Sequence, residues 1–269
     1  MTLRLLQKVV MDYYKRHGRR TLPWRKTKNP YRILVSELML QQTQVSRVIP
    51  KYQSFLKRFP TVHALARASL GDVLREWQGL GYNRRAKFLH ECANVIVKKF
   101  RGRFPKTHSE LVLLPGVGTY TAGAILAFAY DKAFPIIETN IRSVFLHFCF
   151  KERSNVTDAE ILTLVRNTLS KQKSVRIWYQ ALMDYGSHLK VTFKNPSHQS
   201  AHHYVQKKFK GSDREIRGAI LRSVLVNPVT QAQLIPLQQF DVQRTKVQVA
   251  RLIQEGLLVE KRGKISLPQ

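Results

Sequence analysis

The sequence predicts a mainly α-helical protein, and three observations carry the prediction. Before residue 190 the apolar residues recur at helical spacing, with almost none of the alternation that a half-buried strand shows. A glycine-rich bend, LPGVGTYTAGAIL at residues 114–126, lies between two segments that each read as helix. After residue 190 a polar, basic stretch gives way to short amphipathic segments and a final pair of strand-like runs around a turn. The chain has 269 residues, 43% of them hydrophobic and 10% aromatic, enough to bury a core in one or two domains.

In chain order, residues 3–14 read as the first helix, ended near Gly18 and followed by the turn TLPWR. Helices over 31–40 and 45–58 come next, then 62–68 and 70–78, broken by GLGYN. The long helix over 84–100 stops at Gly102, a residue type that ends helices without steric cost. Residues 109–113 and 120–130 flank the glycine-rich bend, and helices over 140–150, 158–169 and 175–185 complete the first part. Residues 190–212 read as a basic connector. Beyond it, helices over 213–226, 230–240 and 241–254 precede two short strands around Arg262–Gly263, a pattern that fits a winged-helix-like module over 213–269 or a plain helical cap.

Lys and Arg number 46 against 17 Asp and Glu, a formal net charge of +29 with a pI near 10.6. Residues 190–269 hold 14 basic and 5 acidic side chains and residues 1–189 hold 32 and 12, so both parts should face a polyanion. Nucleic acid fits best, because phosphates exchange condensed counterions for Lys and Arg. The two cysteines, Cys92 and Cys149, each sit in an apolar stretch and read as buried thiols in a reducing compartment. With no signal peptide and no membrane-spanning run legible, the expectation is a soluble, cytoplasmic, DNA-associated protein with no membrane partner.

Two helices around a glycine-rich bend form a helix-hairpin-helix. Gly116 and Gly118 would permit positive φ and gather backbone N–H groups at the second helix's N-terminus. Those amides can hold a DNA phosphate with no base preference. The residues so placed are Gly116, Val117, Gly118, Thr119 and Thr121.

Six segments in order, LPWR, PYRILVSELMLQQTQVSRVIPKY, RFPTVHALARASL, WQGLGYNRRAKFLH, LPGVGTYTAGAIL and WYQALMDYG, resemble the helix-hairpin-helix DNA glycosylases that include endonuclease III, most closely the MutY-type adenine glycosylases. The likeness spans roughly residues 22–186. It implies a two-lobed body: a helical domain from residues 1–28 and 134–189, and a six-helix barrel from 29–133 that holds the hairpin at 109–130, with DNA in the cleft between them.

A glycosylase must flip its target base into a pocket and then cleave a bond to a poor leaving group, which one carboxylic acid and one carboxylate can accomplish. By the resemblance, Glu37 is the general acid, and its neighbours Leu34, Val35, Leu38, Met39 and Leu40 would desolvate it and raise its pKa. Glu138 falls where the family generally has Asp, one methylene shorter; it either serves a rebuilt pocket or merely caps the next helix. Asn140 matches a residue that positions the reacting centre. Tyr120 replaces the Schiff-base Lys of bifunctional relatives and implies a monofunctional enzyme. Gln41, Gln42 and Tyr82 match the wedge that fills the gap left by the flipped base. Trp24, Arg25 and Leu40 match the adenine pocket, where an aromatic face and a guanidinium fork can hold a purine.

Most relatives carry four cysteines just beyond this point for an iron–sulfur cluster; residues 190–206 have none. Three histidines there, His198, His202 and His203, are a weak zinc signal, so no metal is expected beyond a monovalent cation at the hairpin. Lys190, Lys194, Lys207, Lys208 and Lys210 are candidate DNA contacts in the cluster's place, and Arg244, Lys246, Arg251, Arg262 and Lys264 in the C-terminal module. The reading is a monomeric, monofunctional glycosylase that removes adenine opposite 8-oxoguanine or guanine in duplex DNA. Excision of thymine or uracil opposite guanine is the alternative within the class, and a non-catalytic damage-binding protein the alternative outside it.

Overall fold

The computed structural model describes residues 2–170, 172–193, 195–206, 208–234 and 240–269. The elements begin with α1 (Leu3–His17), a 3₁₀ turn at Pro23–Lys26, α2 (Pro30–Leu40), α3 (Val45–Arg58), α4 (Val62–Arg67), α5 (Leu70–Glu76) and α6 (Arg84–Phe100). The hairpin helices are α7 (His108–Leu111) and α8 (Thr119–Tyr130), followed by α9 (Thr139–Cys149), α10 (Asp158–Leu169) and α11 (Val175–Thr192). After a 3₁₀ turn at Pro196–Gln199 come α12 (Asp213–Ser223), β1 (Val229–Thr230), α13 (Gln231–Leu234), α14 (Val242–Gln254), β2 (Val259–Lys261) and β3 (Lys264–Ser266). Many starts are written in the sequence as caps. Thr2, Thr61, Ser69 and Ser174 accept from backbone amides of their helices, and Thr157 with Glu160 forms a reciprocal capping box.

The chain divides into two compact units. The first holds residues 1–34, 105–113 and 117–205. Its centre is α11, which packs against α9, α1 and α8 around Leu6, Val10, Val144, Phe145, Trp178, Tyr179 and Leu182. Polar groups in this core are paired: the Tyr14 hydroxyl donates to Gln180 Oε1 at 2.8 Å and Trp178 Nε1 to Thr168 Oγ1 at 3.0 Å. Helix α8 is apolar on every side, and residues 121–129 are all buried, the pattern of a helix enclosed by its unit.

The second unit holds residues 35–104, 114–116 and 206–269. Here α6 packs on α4 and α5, with Phe55, Leu65, Trp77, Leu89 and Ile96 buried. The C-terminal residues pack α12 on α14 beside a three-stranded antiparallel sheet of order β1-β3-β2, with Val229 opposite Ile265 and Glu260 opposite Ile265 on the other edge. Arg262 and Gly263 have φ of 52° and 72°, the left-handed pair that a tight hairpin turn needs. This segment is seated on the rest of the unit: Gly71 N donates to Pro268 O at 2.8 Å, and Arg75 Nε donates to Leu225 O at 3.1 Å.

Three differences from the sequence reading matter for the site. Helix α8 groups with the first unit, whereas the reading placed the whole hairpin in the 29–133 barrel. Residues 206–269 group with the second unit instead of standing alone. Helix α11 runs to Thr192, seven residues past the expected end at 185, so Lys190 lies on a helix and not in the connector. The expected helix over 230–240 is described only as α13, residues 235–239 lying outside the described residues, as do the candidate contacts Lys194 and Lys207.

Candidate active site

In the first unit the site is built on α11. The Tyr179 hydroxyl donates to Phe134 O at 2.7 Å and accepts from Ile136 N at 3.0 Å, which fixes the extended run leading to Glu138. Gly186 lets α11 come close to the start of α9: a Cβ there would lie 2.1 Å from Asn140 O. Glu138 is the N-cap of α9. Its Oε1 accepts from the amides of Asn140 and Ile141 at 2.9 Å each, and its Oε2 from Asn140 Nδ2 at 3.2 Å. The longer side chain thus folds back onto its own helix, and a negative charge is fixed at a helix N-terminus, where the dipole favours it.

Asn140 is held from its other end by Lys190, whose Nζ donates to Asn140 Oδ1 at 2.9 Å. Burial lowers the Lys190 ammonium below its ordinary pKa, the Glu138 charge works against that, and Arg142 adds to it. Glu138, Asn140 and Lys190 are therefore one hydrogen-bonded chain. The sequence reading took Lys190 for a loop contact to DNA; the signal that could have found its role is its four-residue spacing from Gly186 on an unbroken helix.

Arg25 does not present an open fork. Its Nη1 and Nη2 reach Asp184 at 2.7 and 2.8 Å, and the side chain is 6% exposed. The expectation that this guanidinium itself grips a purine is corrected accordingly: the bidentate pair is spent on α11, and Arg25 supports the segment bearing half-buried Trp24. Arg176 adds a second brace, donating to Arg25 O at 2.6 Å and Phe128 O at 2.7 Å. Asp184 and Arg176 were both missed as site residues, because a charged residue within a helical pattern reads as solvated surface.

At the hairpin, Gly116 has φ of 72°, and a Cβ there would meet Phe88 Cβ at 2.5 Å. Gly118 departs from the expectation: its φ is −84° and ψ 178°, extended backbone open to any residue. It serves as N-cap of α8, and no side chain caps that helix. Val117 and Thr121 are buried at 4% and 3%, so a phosphate at this end would be met by backbone amides and by exposed Thr119, not by those two side chains. Tyr120 is half-buried in the first turn of α8.

In the second unit, Glu37 lies on α2 at 8% exposure, and Val35, Leu38 and Met39 beside it in sequence are buried. Leu40 and Gln41 are half-buried and Gln42 exposed at the helix's end. Gln42 and Tyr82 both adopt left-handed φ, 52° and 48°, a conformation that non-glycine residues keep only when their surroundings impose it. The imposing residue is Arg85. Its guanidinium donates to the carbonyls of Leu38 (2.6 Å), Met39 (3.1 Å), Gln41, Leu80 (3.1 Å) and Gly81 (2.9 Å). It also stands 5.5 Å from the Tyr82 ring. Burial brings its pKa down to about 10, which leaves it charged at neutral pH. One buried cation thus ties the end of α2 to the GLGY turn. Sequence reading passed over it as one of several arginines.

The chain's two cysteines lie on α6 and α9, in different units, and residues 190–206 supply no thiolate. This donor set does not fit a four-cysteine cluster. The His198 and His203 rings approach to 4.5 Å, while among the described residues no three His, Cys, Asp or Glu side chains gather as a metal group. Among those residues, too, no helix is long and apolar enough to cross a membrane.

Residues 35–167 match the family described as HhH-GPD superfamily base excision DNA repair protein. A relative named adenine DNA glycosylase from Mycolicibacterium smegmatis is 36% identical over 262 residues, covering 90% of this chain and 89% of that protein. Another of that name, from Buchnera aphidicola subsp. Baizongia pistaciae, is 37% identical over 187 residues, 70% of this chain; the match spans about half of that relative's length, 53%. The fold is similar to that of a solved thermostable thymine-DNA glycosylase, with a TM-score of 0.62, 23% identity and coverage of 72% of this chain and 90% of the other. On these matches the chain belongs to the HhH-GPD superfamily of base excision DNA repair proteins.

Proposed function

We propose that the protein is a monofunctional DNA glycosylase that excises adenine mispaired with 8-oxoguanine or guanine. The observation that carries this reading is the match to an adenine DNA glycosylase along 90% of the chain, with Glu37 retained and buried on α2. The target adenine is flipped out of the duplex, and Glu37 delivers a proton to its ring, so that the base departs neutral. Glu138, held in place by the amides of α9, stabilises the oxocarbenium character left on the sugar; Asn140 and Lys190 fix its orientation. Water then closes the sugar to an abasic site. Tyr120 stands where an amine would be needed for strand cleavage, and a phenol forms no Schiff base. No cluster or metal enters any step, and the protein works as a monomer on duplex DNA inside the cell.

The test is single-turnover base release from duplexes bearing A:8-oxoguanine, A:G, T:G and U:G, each split into portions with and without hot alkali. Adenine release that becomes a strand break only after alkali is the expected result, and Glu37→Gln should lower its rate by at least about a hundredfold. Release of thymine or uracil instead would replace the substrate assignment. Tight binding without any release would make the protein a damage-binding one.

A further inference from the structure

Gln206, in the stretch read as a basic connector, and Arg214, in the helix after it, are joined to the residues expected to wedge into DNA. Gln206 Nε2 donates to Gln42 Oε1 at 3.1 Å and to the Tyr82 hydroxyl, and Arg214 Nη1 donates to that same hydroxyl at 3.0 Å. The Arg214 guanidinium lies 5.7 Å from the Tyr82 ring and 5.9 Å from the Phe209 ring, so it stands between two aromatics. Phe209 is 56% exposed, yet it is no loose tail residue. Its carbonyl accepts from Ser212 N at 3.1 Å and Ser212 Oγ at 2.6 Å, while the adjoining Gly211 receives Arg244 at 3.1 Å. An exposed aromatic on a pinned turn, flanked by Lys208 and Lys210, has the composition of a single-strand stacking platform: a π-face for a base and ammonium groups for its phosphates.

We propose that Phe209, braced by Arg214 and Gln206 against Tyr82 and Gln42, stacks on the base left unpaired in the strand opposite the excised nucleotide. Flipping one base strands its partner, and that partner loses its stacking and pairing at once. A platform fixed to the wedge receives it where the wedge enters. The segment takes over, in this chain, part of the hold on the undamaged strand. This inference rests on the reading of the protein as a base flipper, and its test separates the two.

The experiment uses the full-length protein and a duplex with a tetrahydrofuran abasic analogue opposite 2-aminopurine. Wild-type protein should quench the 2-aminopurine further on binding, and Phe209→Ala should remove that quenching and raise Kd about tenfold, the loss of one base–aromatic stack. Phe209→Trp should restore both. Affinity for a fully paired duplex and Tm should be the same in all three proteins. Equal quenching and equal Kd in Phe209→Ala would overturn the proposal even if adenine is released normally. Phe209-dependent quenching by a protein that releases no base would uphold it and overturn the enzymatic reading alone.

Discussion

Asp184 is a carboxylate with a 2% exposed side chain that answers two arginines, and its energetics follow from that burial. Burial alone would push its pKa up, but the hydrogen bonds and charge of Arg25, with the amide and charge of Arg19, bring it below the ordinary aspartate value. A depressed carboxylate contributes stability that is fully present above its unfolded pKa, near ~3.9, and is lost as pH falls through the folded value. Asp184→Asn leaves the Arg25 guanidinium buried without its counter-charge, which costs about 3 kcal/mol at neutral pH. Thermal melts at neutral pH and below ~4 check both points: the variant should be less stable at neutral pH, and the gap should narrow in acid. A gap of constant size would mean that Asp184 is not ionised in the fold.

The hairpin sets its two glycines different tasks, and the element predicts different fates for them. Gly116 combines a φ of 72° with the nearness of Phe88, so Gly116→Ala strains the backbone and collides with a side chain of α6. Gly118 is extended, and nothing lies within 4 Å of a Cβ placed there, so Gly118→Ala should fold with an unchanged Tm. Circular dichroism melts of the two variants should show a loss for Gly116→Ala of several degrees and none for Gly118→Ala; equal losses would refute the assignment of the bend to Gly116 alone. The helical spacing and the bend at Gly116 were legible because they are local, and Asp158–Leu169 has the bounds read from its pattern. Roles for Glu37, Glu138 and Asn140 were suggested by resemblance alone, since no local property distinguishes a buried acid from a solvated one. The bracing contacts of Arg85, Asp184, Arg176 and Lys190 were not legible, because each acts through partners far away in sequence: Arg25 and Asp184 are 159 residues apart, and Lys190 and Asn140 are 50 apart. The end of α11 was missed because polar Ser187, His188 and Lys190 resemble a linker while Leu189 keeps the helical face buried.

Across the whole molecule the excess of basic over acidic side chains is too large for a few phosphate clamps to account for, and it extends into the C-terminal module. A charge distributed in this way favours capture of any duplex, through release of condensed counterions. Affinity for an undamaged duplex should therefore fall linearly in a log–log plot against salt, with a slope of about −0.9 for each phosphate neutralised. Within the module, Lys246, Arg251 and Lys264 are exposed, while Arg244 is engaged with Asp213 at 2.6 Å. Replacing Lys246, Arg251 and Lys264 with Gln should make the slope shallower by about one unit for every phosphate that the variant no longer neutralises. The Phe209-dependent preference for the abasic duplex should stay intact, because stacking releases no counterions. Fluorescence anisotropy titrations between about 50 and 200 mM salt resolve a change of that size. A slope identical to wild type would mean that this face of the module is turned away from DNA, and the charge of residues 213–269 would then have to serve another polyanion.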